Sequence, residues 1–274
     1  MFEDYYFLNE GQVNITAATV GISKNRWCKV NENEIITEEY INVMKVNNFD
    51  HLPIISKNEN VYEYFKTSIS NDFSDIKRLQ IKHDDVIPLD TNIKEVIEKF
   101  ATTGRSFYFL SYYKNISGLI TIGNLNCKQV QIYIFSLICD VERALSDFVN
   151  SELSDEDIEG WIKFKTEQEI PNQKFIDILK YYSELKNNDL ENKLTEHLFL
   201  VDFFAIINKF DLNEKLNYSK AELAELSSIN ELRKRIAHPT RSLLDDNNDI
   251  YKLKERLDKV NDLNFRLDKF KKLK

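Results

Sequence analysis

The chain has 274 residues, 42% of them hydrophobic and 30% charged, with only six glycines and four prolines. A domain typically takes roughly 100–200 residues, so two domains are expected, and the composition excludes a disordered chain and a turn-rich all-β fold. The formal net charge of −8 excludes a surface coated by nucleic acid, because such binding draws on broad positive charge, so any RNA contact must be local.

The opening stretch "MFEDYYFLNE" has neither the basic start nor the apolar core of a signal peptide, and no apolar run reaches the ~18 residues a membrane span needs. A cytoplasmic protein with no membrane partner is expected. Cys28, Cys127 and Cys139 form no CxxC pair and have no nearby histidine. They read as core or partly buried thiols, with no metal site implied.

Two stretches of the first half share an order of elements. In the first, "TEEYINVMKVNNFD" has helical periodicity, "HLPIIS" is a β-branched strand, "KNEN" a turn and "VYEYFKTS" a second strand. In the second, "VIPLD" enters as a strand and Thr91 or Asp90 caps the helix "NIKEVIEKFATTG", which Gly104 ends. "SFYFLSYY", "KN" and "ISGLITIG" then form a hairpin. The β-α-β-β-α order, read twice, resembles the cystathionine β-synthase (CBS) domain pair over about residues 10 to 130, with "FDHLPII" and "SGLITIGNLN" carrying the likeness.

The resemblance implies an adenine-nucleotide-sensing or scaffold domain over residues 1–128. The family's Gly-apolar-apolar-Thr/Ser-x-x-Asp pattern appears as Gly118, Leu119, Ile120, Thr121, Ile122, Gly123 and Asn124. Gly118, Thr121 and Asn124 are thus the nucleotide-site candidates for a regulatory AMP, ADP or ATP. A strand-end hydroxyl and a side chain three residues on can bond a ribose diol, beside a helix N-terminus suited to phosphate. Asn124 stands where the family has an acid, so it brings no charge, and Thr121 with Asn124 can equally cap the next helix. The first copy, "YEYFKTS", lacks both the glycine and the acid, so at most one site is expected.

From about residue 129 the pattern turns helical throughout. "KQVQIYIFSLICDVERALSDFVNSEL" places Val130, Ile134, Leu137, Ile138, Val141, Leu145 and Phe148 on one face. Helical patterns follow in "DEDIEGWIKFKTEQE", "NQKFIDILKYYSELKNN", "EHLFLVDFFAIINKF", "SKAELAELSSINELRKRIAH" and "DIYKLKERLDKVNDLNFRLDKF", making an all-α bundle over residues 129–274. Ser219 can cap the fifth, whose apolar positions are Leu223, Leu226, Ile229, Leu232 and Ile236, and Pro239 ends it near His238.

Arg233 and His238 form an Arg-x4-His motif on this late helix. With "ICDVERALSDFV" on the first helix, it resembles the HEPN domain over about residues 129 to 270. The resemblance implies a metal-independent endoribonuclease whose motif meets its copy across a homodimer, with no cofactor required for catalysis. Lys234 stands where the family usually has a short polar residue. Chemically, an imidazole suits proton transfer at the 2′-hydroxyl or 5′-oxygen of RNA, and a guanidinium suits the phosphorane charge. On an ideal helix the two positions lie about 140° apart, so one helix alone aims them poorly at one phosphate. Lys234, Arg235 and Arg241 are candidate contacts to the phosphates of single-stranded RNA.

His51, His83 and His197 read as edge or surface histidines, and no HExxH, Walker or GxSxG motif occurs. The function expected is a nucleotide-regulated, HEPN-type endoribonuclease of stress or antiviral defence. The rival is a noncatalytic nucleotide-sensing and dimerisation module that docks a partner protein.

Overall fold

The computed structural model describes residues 15–47, 49–69, 72–167, 172–188, 190, 193–238, 240–246 and 248–273. "MFEDYYFLNE", Pro171 and Pro239 lie outside them. The described residues divide into two compact units, one of residues 15–131 with 243–251 and one of residues 132–242 with 252–273. No helix among them is long and apolar enough to cross a membrane.

The first unit runs α1 (Ala17–Val20), β1 (Ile22–Ser23), β2 (Val30–Asn31), α2 (Glu38–Asn47), β3 (His51–Ile55), β4 (Val61–Ile69) and β5 (Asp72–Gln80). It continues through β6 (Val86–Pro88), α3 (Ile93–Thr103), β7 (Phe107–Tyr112) and β8 (Asn115–Thr121). Two four-stranded sheets result, in the orders β2-β3-β4-β5 and β1-β8-β7-β6. Each repeats one idea: a strand, a helix, a second strand parallel to the first, then an antiparallel return. β1 precedes the first copy yet pairs with β8 of the second, through Ile22↔Leu119 and Ser23↔Gly118.

Helix α3 shows why these residues fold this way. Ile93, Val96, Ile97, Phe100 and Ala101 are buried at helical spacing, and Gly104 closes the helix at φ 66° with its N–H on the Phe100 carbonyl. The cap is Asn92 rather than Thr91 or Asp90. Its side-chain oxygen accepts the Lys94 N–H at 2.9 Å, which a residue outside the Ncap position cannot do.

The repeat departs from β-α-β-β-α in its first copy. After β4 the chain doubles back as β5 and reaches β6 through a 3-10 turn at His83–Asp85, with no α-helix between. The hairpin turn after β7 also shifts by one residue. Tyr112 pairs with Asn115, so Tyr113 and Lys114 make the turn, Tyr113 taking a left-handed φ of 51°.

One core cluster sits under the first sheet, with Val30, Met44, Leu52, Ile54 and Phe65. A second joins the two sheets: Val61 and Tyr64 of β4 meet Phe107, Phe109 and Ile116 of β7 and β8. This seam also holds His51, whose ring centroid lies 3.6 Å from that of Phe107.

The C-terminal part is mostly helical: α4 (Lys128–Glu152), α5 (Asp155–Thr166), α6 (Gln173–Asn187), α7 (Leu200–Lys209), α8 (Lys220–Glu225), α9 (Ser227–Ile236) and α10 (Asp249–Leu273). Val130, Ile134, Ile138, Val141, Leu145 and Phe148 of α4 are all buried. Ser154 with Asp157, and Ser219 with Glu222, form reciprocal caps for α5 and α8. The helix read from Ser219 onward is broken at Leu226 into α8 and α9, although all five of its apolar positions are buried. His197 ends a 3-10 turn ahead of α7 instead of starting the helix.

Candidate functional site

The candidate residues fall into two groups, one in each unit. Around the end of β8, Gly118 faces β1 so closely that a Cβ would sit 2.8 Å from the Ile22 carbonyl oxygen. Its lack of a side chain is what admits β1. Gly21 is equally tight, a Cβ there meeting Leu110 Cδ1 at 2.6 Å and the Leu119 carbonyl at 2.8 Å. These bare backbones border a cavity of about 100 Å³, lined also by Ala18, Ser23, Leu89 and Ser117. Ligand pockets are usually about 300 Å³ or more, so a nucleotide enters only if this cavity widens.

Three residues along, Thr121 and Asn124 bond each other. The Thr121 N–H donates to Asn124 Oδ1 at 2.8 Å and its hydroxyl to the same oxygen at 3.0 Å, while the Asn124 N–H donates to Thr121 Oγ1 at 3.3 Å. They cap the 3-10 helix Ile122–Asn126 and do not line the cavity that Gly118 borders. Asn124 Nδ2 remains a donor with no partner among the described residues.

Nearby, Asn126 has a role the sequence did not announce. Its Nδ2 donates to the Leu244 carbonyl at 2.9 Å and its Oδ1 accepts the Leu244 N–H at 2.7 Å. This pair ties residues 243–251 into the first unit.

In the second unit, Arg233 does not face open solvent. Its Nε lies 2.8 Å from Glu142 Oε1 on α4, with side-chain exposures of 28% and 23%. Its guanidinium also stands 5.5 Å from the Phe199 ring centroid. Glu142 lies inside "ICDVERALSDFV", next to buried Val141, and sequence reading did not single it out. The signal was there: a carboxylate bordering a buried helical face needs a cation.

His238 is exposed, beyond the end of α9. The helix does not unwind before it: Ala237 keeps helical angles of φ −67° and ψ −13°, so Arg233 is drawn toward α4 while His238 faces solvent. One chain alone does not bring them to a common phosphate. Lys234 Nζ donates to Glu231 at 2.9 Å, and Arg235 reaches the Ser242 carbonyl at 3.5 Å. Arg241 is exposed, its backbone N–H bonding the His238 carbonyl at 2.9 Å. Among the described residues, no group of three or more His, Cys, Asp or Glu is arranged to hold a metal ion.

His51 is the group whose protonation the fold alters most visibly. Its Nε2 is buried with no partner among the described residues, and burial, aided by Lys66, pushes its pKa down to about 3.

The fold is an α+β unit of two repeated sheets followed by a mostly helical part. No family model matches the chain, and no curated protein matches it. Solved structures similar to its N-terminal part are CBS-domain proteins. The CBS domains of a transcriptional regulator from Streptococcus pneumoniae are 14% identical, over 39% of this chain and 92% of that one, with a TM-score of 0.32. CBSX2 in complex with AMP is 13% identical over 43% and 97%, with a TM-score of 0.34. A hemolysin-like CBS-domain protein of Oenococcus oeni PSU is 15% identical over 41% and 88%, with a TM-score of 0.31.

Proposed function

We propose that this chain is a nucleotide-responsive regulatory protein in which the CBS-like unit binds an adenine nucleotide and the helical part carries the output. The observation that carries this reading is the thin closure of the cavity at Gly21 and Gly118. β1 is held to β8 by only two residue pairs, so a ligand that wedges between them trades few contacts for its own. In this reading the ligand biases β1 away from β8. Asn124, outside the closed cavity, is the side chain left to meet a ribose diol once β1 moves, its Nδ2 being the part that the Thr121 cap does not use.

Calorimetric titration of the whole chain with AMP, ADP, ATP and S-adenosylmethionine tests this. Binding of at least one adenine nucleotide, weakened at least tenfold by Gly118→Ala, is expected. Absence of heat with all four refutes the reading.

A second reading, a dimeric HEPN-type endoribonuclease, is favoured by exposed His238 standing beside Arg235 and Arg241. In that reading Arg233 and His238 come from paired copies, and an RNA phosphate displaces Glu142 from Arg233. Purified protein then cuts single-stranded RNA in EDTA, and His238→Ala abolishes cutting. Equal activity of wild type and variant, with and without ATP, excludes it.

A further inference from the structure

The C-terminal end of α10 carries an open groove of about 380 Å³, lined by Lys215, Asn217, Asp262, Phe265, Arg266 and Lys269 among others. One wall is rigidly built. The Tyr218 hydroxyl donates to Asp262 Oδ2 at 2.7 Å, and Arg266 Nε donates to the same oxygen at 3.0 Å. The Arg266 guanidinium lies 3.9 Å from the Tyr218 ring centroid, and its Nη1 donates to the Leu216 carbonyl at 3.3 Å. Lys215 is held by Glu152.

Against this fixed wall, Phe265 is 66% exposed. Lys269, Lys271 and Lys272 have no ion-pair partner among the described residues. Lys269 lines the groove and Lys272, seven residues from Phe265, shares its side of the helix, so in a chain of net charge −8 two unpaired cations there are a local excess. The helix dipole explains lysines at a C-terminus. It explains neither an open groove nor a solvated aromatic ring beside them.

We propose that this groove binds single-stranded RNA, one base stacking on Phe265 while the adjoining phosphates follow Lys269 at its edge and Lys272 one turn beyond. Stacking on an exposed ring next to a cationic track is how single strands are held without sequence readout. Phe265 and Lys269 are one turn apart, about 6 Å along the axis, so ring and cation address one nucleotide together. A flat anionic membrane would engage the lysines but leave the concave wall of Asn217, Asp262 and Arg266 unused. Duplex RNA, with its bases already stacked, offers Phe265 nothing. The inference goes beyond the nucleotide reading and does not depend on cutting by His238.

The test is fluorescence anisotropy of the whole chain with a labelled 2′-O-methylated single strand of about 12 nucleotides, which lacks the nucleophile for cleavage. Wild type is expected to bind. Phe265→Ala should weaken binding about tenfold, in line with the loss of one stacked base. Lys269→Glu with Lys272→Glu should weaken it further and flatten the dependence of log K on log salt by about 0.7 per lost phosphate contact. All three side chains are exposed, so the variants keep the fold, which circular dichroism verifies. A wild type that does not bind overturns the inference. So does equal binding by the variants, which would place RNA elsewhere and leave the ribonuclease reading standing. Equal affinity for the duplex, or sedimentation with phosphatidylserine vesicles in place of RNA binding, overturns it as well.

Discussion

Replacing His51 by leucine should change how the first unit's stability depends on pH. The imidazole lies in the seam between the two sheets, against Phe107 and Tyr64, with Nε2 unpartnered. Lys66 on β4 disfavours its protonation, while Asp50 and Asp85 partly oppose that, and Asp85 is itself paired with Arg105. The folded pKa of about 3 lies below the ordinary 6.5, so the unfolded chain binds the proton first. Stability is therefore complete above pH 6.5 and falls as pH drops from there toward 3. One pKa unit corresponds to about 1.4 kcal/mol, so lowering the pH to about 5 removes about 2 kcal/mol through this group. Urea unfolding followed by Trp27 fluorescence reads the seam, because Trp27 packs edge-on to Phe109 with centroids 6.2 Å apart. A Trp161→Phe background leaves Trp27 as the sole tryptophan of the two in the chain. Between about pH 7.5 and pH 5, wild type should lose about 2 kcal/mol more than His51→Leu. Equal losses would refute the buried, neutral imidazole.

Other perturbations follow from single contacts. Asn126→Ala leaves the Leu244 N–H and carbonyl without their partner and should cost about 2–3 kcal/mol, read by urea unfolding, and a cost under about 0.5 kcal/mol contradicts the tie. Asn92→Ala removes the α3 cap and should cost about 1 kcal/mol, whereas Thr91→Ala should cost less, a ranking that thermal unfolding checks. Asn124→Asp supplies a second oxygen for the ribose diol while keeping the cap, so AMP should bind more tightly by calorimetry, and weaker binding would place the ribose elsewhere. Glu142→Gln strips the partly buried Arg233 of its counter-charge and should destabilise the helical unit by about 1–3 kcal/mol. An unchanged melting temperature would mean the pair contributes nothing.

The sequence was legible where one segment settles its own structure. Helix α3 has an apolar stripe and a terminal glycine in one short segment, although its cap is Asn92 and not the Thr91 or Asp90 read beside it, and the buried face of α4 follows from spacing, with Leu137 only partly buried. Two-residue strands β1 and β2 left no such trace, since Ile22 owes its conformation to Leu119 in the second copy. β5 was missed because "DFSDIKRLQ" is largely exposed on both faces, which erases the alternation of a half-buried strand. At the candidate sites the residue types were readable but their partners were not. Nothing near Arg233 in the chain points to Glu142, and nothing near Asn126 points to Leu244. The Thr121 and Asn124 pair was visible, and the structure gives it the capping geometry that the pattern also allowed.

Amide hydrogen exchange at Ile22, Ser23 and Leu119, with and without saturating adenine nucleotide, bears most directly on a ligand seated between β1 and β8. Faster exchange of the β1 amides on binding, with no ligand effect in Gly118→Ala, is the predicted result. Unchanged exchange there, with protection arising only at a distant segment, would contradict it.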